Sequence, residues 1–240
     1  MMAALLLVAP SVGQPAAVKI VLVGDSTVAT EGGWGPGFCA AMTPNVTCID
    51  DALNGRSSKS FIDEGAWKKA LAEHGNYYLI QFGHNDQKTD AARHTDADGS
   101  FQAYLNVYIA DVRAIGAVPV LVTSLSRRNY KDGVLVEDLN DYAAATKKVG
   151  AEEKVTVVDL NALSTALLKT MTQEQADRFD AEGNADATAE TKDVTEKKDR
   201  THLNAVGQQL FGRMVAETLV KQQAQLRPDL VEPPASTKRP

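Results

Sequence analysis

Five short apolar runs, at 18–23, 46–49, 77–82, 118–123 and 155–158, limit most strongly what this chain can fold into. They are rich in β-branched and aromatic residues and nearly continuous in apolar character. A strand with one wet face alternates, whereas a strand covered on both faces does not. Longer stretches between the runs carry apolar residues at helical spacing. In 101–115, Tyr104, Leu105, Tyr108, Ile109 and Val112 share one face, with Asp98 and Ser100 upstream as candidate caps. A second such stretch is 139–148, and a last helix is predicted over 205–222 with Val206, Leu210, Met214 and Leu219. Strands alternating with helices imply a parallel sheet, and right-handed crossovers then place helices on both faces. The expected fold is therefore α/β, a three-layer α/β/α sandwich around a central five-stranded parallel sheet. Ligand sites in such sheets form beyond the carboxyl ends of the strands. The residues just after each run are the ones to read for chemistry.

The 240 residues suit one domain, predicted over 18–226, with a signal-like segment at 1–17 and a loose, proline-containing tail at 227–240. The apolar stretch 3–9 and the small residues after it resemble a secretory signal without its positive start, and the stretch is too short to span a bilayer. A secreted or periplasmic location is expected, with the cytoplasm as the alternative. Cys39 and Cys48 would bridge after export or remain buried thiols in a cytosolic protein, and spacing alone does not choose. A net charge of −6 with dispersed basic residues gives no footprint for nucleic acid and disfavours anionic membranes. The polar segment 177–198 reads as a long loop. Its acidic residues Asp180, Glu182, Asp186, Glu190 and Asp193 lack the spacing and glycine of a calcium loop, so no metal site and no cofactor is expected.

Four groups of residues carry candidate chemistry. Gly24-Asp25-Ser26-Thr27 follows the first run and puts a hydroxyl at a strand-to-loop junction. A helical turn there would aim its free amides at a developing oxyanion. It is not Gly-x-Ser-x-Gly, and alone Ser26 reads equally as a turn or cap residue. Asn54-Gly55-Arg56-Ser57-Ser58 follows the second run, and Gly55 would let its backbone N–H approach a bound group. Gly83-His84-Asn85-Asp86 follows the third, where the Asn85 amide can donate to an oxyanion, although Asn and Asp also favour plain turns. Asp199-Arg200-Thr201-His202 precedes the last helix, with a carboxylate able to orient an imidazole three residues on. His74 and His94 lack a carboxylate at this spacing.

The order and separation of these groups, from about 18 to 220, resemble the SGNH (GDSL-type) hydrolases. Gly24-Asp25-Ser26-Thr27-Val28-Ala29, Asn54 to Phe61, Phe82 to Asp86 and Asp199 to Asn204 are most similar to the blocks of rhamnogalacturonan acetylesterases. The resemblance implies a flavodoxin-like SGNH fold and a serine acetylesterase working on an acetylated polysaccharide; a monomer without a cofactor is expected. It implies Ser26 as nucleophile, His202 as base and Asp199 as its orienting carboxylate. The oxyanion hole would be the N–H groups of Ser26 and Gly55 and the Asn85 side chain. Arg56, His84, Arg127 and Arg128 are candidate substrate contacts, the arginines because a guanidinium holds a galacturonate carboxylate with two hydrogen bonds. The chain departs from the family in reading Ser124-Leu125-Ser126 before Arg127-Arg128, where a proline is frequent. Alternative substrates are acetyl-xylan, lipid or aryl esters and thioesters. A catalytically inactive carbohydrate-binding protein and a flavodoxin-like nucleotide module are the readings from other classes, and the second lacks a phosphate-cradling glycine loop.

Overall fold

The computed structural model describes residues 17–182 and 198–232. The chain begins with β1 (Val18–Gly24), α1 (Gly35–Ala40), β2 (Val46–Asp50), α2 (Ser58–Asp63), α3 (Ala66–Leu71) and β3 (Tyr77–Gln81). It continues with α4 (Ser100–Ala114), β4 (Val118–Val122), a hairpin of β5 (Tyr130–Lys131) and β6 (Val134–Leu135), then α5 (Asn140–Glu152) and β7 (Thr156–Val158). It closes with α6 (Leu160–Leu168), α7 (Gln173–Asp177), β8 (Asp180–Ala181), β9 (Asp199–Leu203) and α8 (Ala205–Gln222). All five apolar runs become strands of one parallel sheet in the order β2-β1-β3-β4-β7.

Alternation along each strand divides the core into two layers. Ile20, Leu22, Leu79, Val120 and Val122 point to one face, where Phe38 of α1, Leu160 of α6 and Phe211, Val215 and Leu219 of α8 cover them. Val21, Val23, Tyr78, Ile80 and Leu121 point to the other, under Phe61, Trp67, Tyr108, Val112 and Val149 of α2 to α5. Each such side chain, fully buried, contributes about 1.5–3 kcal/mol relative to exposure. This two-sided cover is why the runs are continuously apolar. Cys39 of α1 and Cys48 of β2 form a disulfide across a Cα–Cα distance of 5.5 Å, resolving the choice that spacing left open.

Several expectations are corrected. Neither Asp98 nor Ser100 caps α4: its N-cap is Gly99, with no side-chain bond, and the Ser100 hydroxyl instead accepts from the Asp96 N–H. The segment from 177 is not a plain loop, because β8 pairs antiparallel with β9. Of its acidic residues, Asp180 is buried in an ion pair, while Asp186, Glu190 and Asp193 lie outside the described residues. The tail is docked at its start: Leu226 and Asp229 are buried, Leu230 bridges to Met42, and the Val231 N–H donates to Ala41 O. Residues 233–240, and the signal-like segment through residue 16, lie outside the described residues. Among the described residues no helix is long and apolar enough to cross a membrane.

Strand order reverses at β1, which has β2 on one side and β3 on the other. The crevice beyond the carboxyl ends at that switch point is where an open α/β sheet holds its ligand. Ser26 and the Gly83–Asp86 loop leave the sheet at this place.

Candidate active site

The nucleophile candidate sits on one turn of helix directly after β1. Val28 N–H and Ala29 N–H both donate to Asp25 O, at 3.0 and 3.1 Å. The first amides of such a turn have no backbone partner within it and turn to side chains or a ligand. Beneath the turn runs a buried polar chain. Trp34 Nε1 donates to Gln81 Oε1 (2.8 Å), Gln81 Nε2 to Thr27 Oγ1 (2.6 Å), and Thr27 Oγ1 to Asp25 Oδ1 (2.7 Å). The Thr27 N–H adds a second bond to Asp25 Oδ1 at 2.8 Å. None of these bonds uses the Ser26 hydroxyl. That hydroxyl meets His202 Nε2 at 2.7 Å, across 176 positions of sequence.

His202 is in turn held by Asp199. Its Nδ1 lies 2.6 Å from Asp199 Oδ2, while Asp199 Oδ1 accepts the N–H groups of Thr201 and His202, both at 3.0 Å. Burial is the largest single influence on this carboxyl and pushes its pKa up. The hydrogen bonds from His202 and the backbone outweigh it and hold the pKa at about 2. The carboxyl is thus ionised at neutral pH and accepts only, so the shared proton belongs to Nδ1. Nε2 then carries a lone pair towards Ser26. The His202 side chain is 31% exposed, so solvent reaches this relay from one side.

Two loops meet beside the turn. Leu53 N–H donates to Gly24 O at 3.0 Å, which fastens the Asn54–Gly55 turn to the end of β1. Gly55 has φ +77°, a left-handed conformation that disfavours any side chain. Asn85 Nδ2 donates to Arg56 O at 3.1 Å, which fixes its amide while leaving a second N–H to offer. Asp86 locks the two loops together, accepting from Ser58 N–H (3.1 Å), Ser58 Oγ (2.5 Å), Thr95 Oγ1 (2.8 Å) and Gly83 N–H (3.0 Å). Burial raises its pKa to about 6, against the pull of those donors.

Three of the four candidate substrate contacts are not free to serve. Arg128 is fully buried, with its guanidinium on Asp180 and on the His202 carbonyl. The Arg127 side chain is only 10% exposed and is paired with Asp138 at 2.7 Å. His84 is 3% exposed, 3.6 Å from Asp25, and burial lowers its pKa against the pull of that carboxylate. Only Arg56 is well exposed, and it spans Glu64 and Asn54 O, each at 2.8 Å. Arg127 and Arg128 are paired within the fold because an isolated buried charge is too costly to leave unpaired. Sequence reasoning missed Gln81, Trp34, Gly32 and Asp180. Only Gln81 left a signal, as the one polar residue in an otherwise apolar run.

The chain is similar to several known proteins. A rhamnogalacturonan acetylesterase of Bacillus subtilis, RhgT, is 34% identical over 225 residues, covering 89% of this chain and 94% of its own. A second protein of that organism, named "Probable rhamnogalacturonan acetylesterase YesY", is 34% identical over 214 residues, covering 85% of this chain and 98% of its own. Among solved structures, YxiM of Bacillus subtilis superposes with a TM-score of 0.71 at 22% identity, over 86% of this chain and 57% of that one. An acetyl-xylooligosaccharide esterase of Geobacillus, Axe2, does so at 0.62 and 16% identity, over 91% of this chain and 98% of that one. At those identities the structures speak for the fold alone. The GDSL-like lipase/acylhydrolase family matches residues 22–210, and with the relatives at 34% identity this establishes that the chain belongs to that family.

Proposed function

We propose that the protein is a carbohydrate acetylesterase that removes acetyl groups from rhamnogalacturonan through an acyl-enzyme on Ser26. The observation that carries the reading is the continuous relay of Ser26 Oγ, His202 and Asp199, with links of 2.7 and 2.6 Å. His202 Nε2 takes the hydroxyl proton as Oγ bonds to the acetyl carbon. The carbonyl oxygen becomes an oxyanion, received by the N–H groups of Ser26 and Gly55 and by Asn85 Nδ2. Collapse breaks the bond to the sugar oxygen, which leaves with the proton from His202. Water then attacks the acetyl-serine with His202 again as base, releasing acetate and restoring Ser26.

The polysaccharide is assigned from the relatives' names and not from the arginines, since Arg127 and Arg128 are occupied within the fold. The deciding experiment measures acetate release from acetylated rhamnogalacturonan and acetylated xylan side by side. Faster release from rhamnogalacturonan is expected. Preference for xylan would sink the pectin assignment and leave the serine mechanism standing. Export to an oxidising compartment belongs to the same reading and is supported by the Cys39–Cys48 disulfide. Two titratable thiols in protein from its native host would argue against it.

Asn85→Ala tests the oxyanion hole. Loss of one donor lowers kcat by roughly 10²–10³, or about 2.7–4 kcal/mol, with KM little changed because the charge exists only in the transition state. An effect confined to KM would make Asn85 a binding residue instead.

A further inference from the structure

We propose that Arg128 and Gly32 clamp the peptide joining His202 to Leu203 at both ends, and that this clamp aims the imidazole at Ser26. The proposal rests on the reading of His202 as the base. The His202 carbonyl accepts from Arg128 Nη2 at 2.5 Å, and the Leu203 N–H donates to Gly32 O at 2.8 Å. These two groups belong to one planar unit. Holding both ends fixes the plane, and the His202 N–H bond to Asp199 Oδ1 at 3.0 Å restrains the rotation about Cα–C that would otherwise swing the His202 Cα–Cβ bond.

The clamp answers a weakness of the fold. β9 carries both Asp199 and His202 but is no part of the central sheet, and its ladder is limited to the two-residue β8. Pairing alone gives it little register. Arg128 leaves the sheet just beyond β4 and is itself immobilised. Its Nε bonds Asp180 Oδ1 at 2.5 Å, its N–H donates to Arg200 O at 3.0 Å, and its carbonyl accepts from Gln173 Nε2 at 2.9 Å. A buried ion pair is a weak source of stability, and an apolar side chain of similar volume often serves as well. A guanidinium brings what an apolar brace lacks, a directed donor to the His202 carbonyl. On the other side the absence of a side chain is what matters. A Cβ on Gly32 would lie 3.0 Å from His202 Cβ, so that His202 would have to give by a few tenths of an ångström, and it would touch the ring Cδ2 at 3.4 Å. Arg128 and Gly32 are thus positioning residues that act through His202.

The test compares Arg128→Ala, Gly32→Ala and Ser26→Ala on p-nitrophenyl acetate, with circular dichroism as the check on folding. A shift of the base by about 1 Å costs on the order of 10²-fold in kcat, the loss expected of Arg128→Ala, and the smaller displacement in Gly32→Ala should give a smaller loss, both with KM nearly unchanged. In folded variants the low-field proton resonance of the His202–Asp199 hydrogen bond should also broaden or move. A folded Arg128→Ala that keeps wild-type kcat, or that loses activity through KM alone, overturns the clamp. If Arg128→Ala does not fold, Gly32→Ala decides: reduced kcat at unchanged KM supports the proposal and wild-type kcat overturns it. Activity surviving in Ser26→Ala would instead sink the catalytic reading beneath it.

Discussion

Replacing Ser26 by alanine is expected to lower kcat on p-nitrophenyl acetate by at least about 10³-fold, because the acyl-enzyme route is lost and only oxyanion stabilisation and binding remain. The fold should survive. The polar chain under the turn runs through Trp34, Gln81, Thr27 and Asp25 and makes no use of the Ser26 hydroxyl. A melting temperature close to wild type, with loss of labelling by a fluorophosphonate probe, is the matching pair of observations. Turnover near wild type in a folded Ser26→Ala would remove the residue from the mechanism.

The Asp199→Asn variant should come next in size, with kcat down by about 10³–10⁴-fold. Its backbone bonds from Thr201 and His202 can be kept by the amide oxygen. The amide NH₂ then faces His202 Nδ1, which must offer a lone pair, and the ring proton moves to Nε2. An imidazole in that tautomer has nothing with which to take the Ser26 proton. A kcat near wild type in a folded Asp199→Asn would mean that Asp199 does not orient His202.

Stability adds an independent reading of the same pair. The folded carboxyl is held at about 2, below its ordinary 3.8, so it contributes on the order of 2 kcal/mol at neutral pH. A depressed carboxylate stabilises fully above its unfolded pKa. That contribution fades as pH falls from about 4 through about 2. Urea unfolding of wild type and Asp199→Asn should therefore differ at neutral pH and converge in acid. Curves that stay equally separated throughout would place the stabilisation elsewhere.

The layered sheet and the candidate groups that the fold brings together were legible in the sequence, for a local physical reason. A strand buried on both faces is apolar at nearly every position, and β1, β3 and β4 announce this in consecutive residues. The long helices α4 and α5 show their buried face as a periodicity of their own side chains, whereas in α8 the face read from Val206, Leu210 and Met214 is not the buried one: Val206 is exposed, and Phe211, Val215 and Ala216 pack inward. The short helices α1 to α3 and α7 have five or six residues each, too few to display a period, and were not anticipated. Ser26, Asn85 and the Asp199/His202 pair could be picked out because each follows a strand or precedes the last helix, where a parallel sheet converges.

The tertiary structure decided what those groups rest on. Arg56, Arg127 and Arg128 look alike as sequence, each a cation past the end of a strand. Burial separates them: Arg56 is exposed, Arg127 is nearly covered, and Arg128 is enclosed with its Nε on Asp180 and its Nη2 on the His202 carbonyl. A charge's role depends on whether water or a partner surrounds it, and both are set by chain segments far apart in sequence. The same holds for Gly32, whose missing side chain matters only because the imidazole of His202 is folded against it. Sequence determined which chemistry the chain carries, because side-chain type and local period are properties of neighbours. Only the folded structure decided which residues aim that chemistry, because aim is a property of distant contacts.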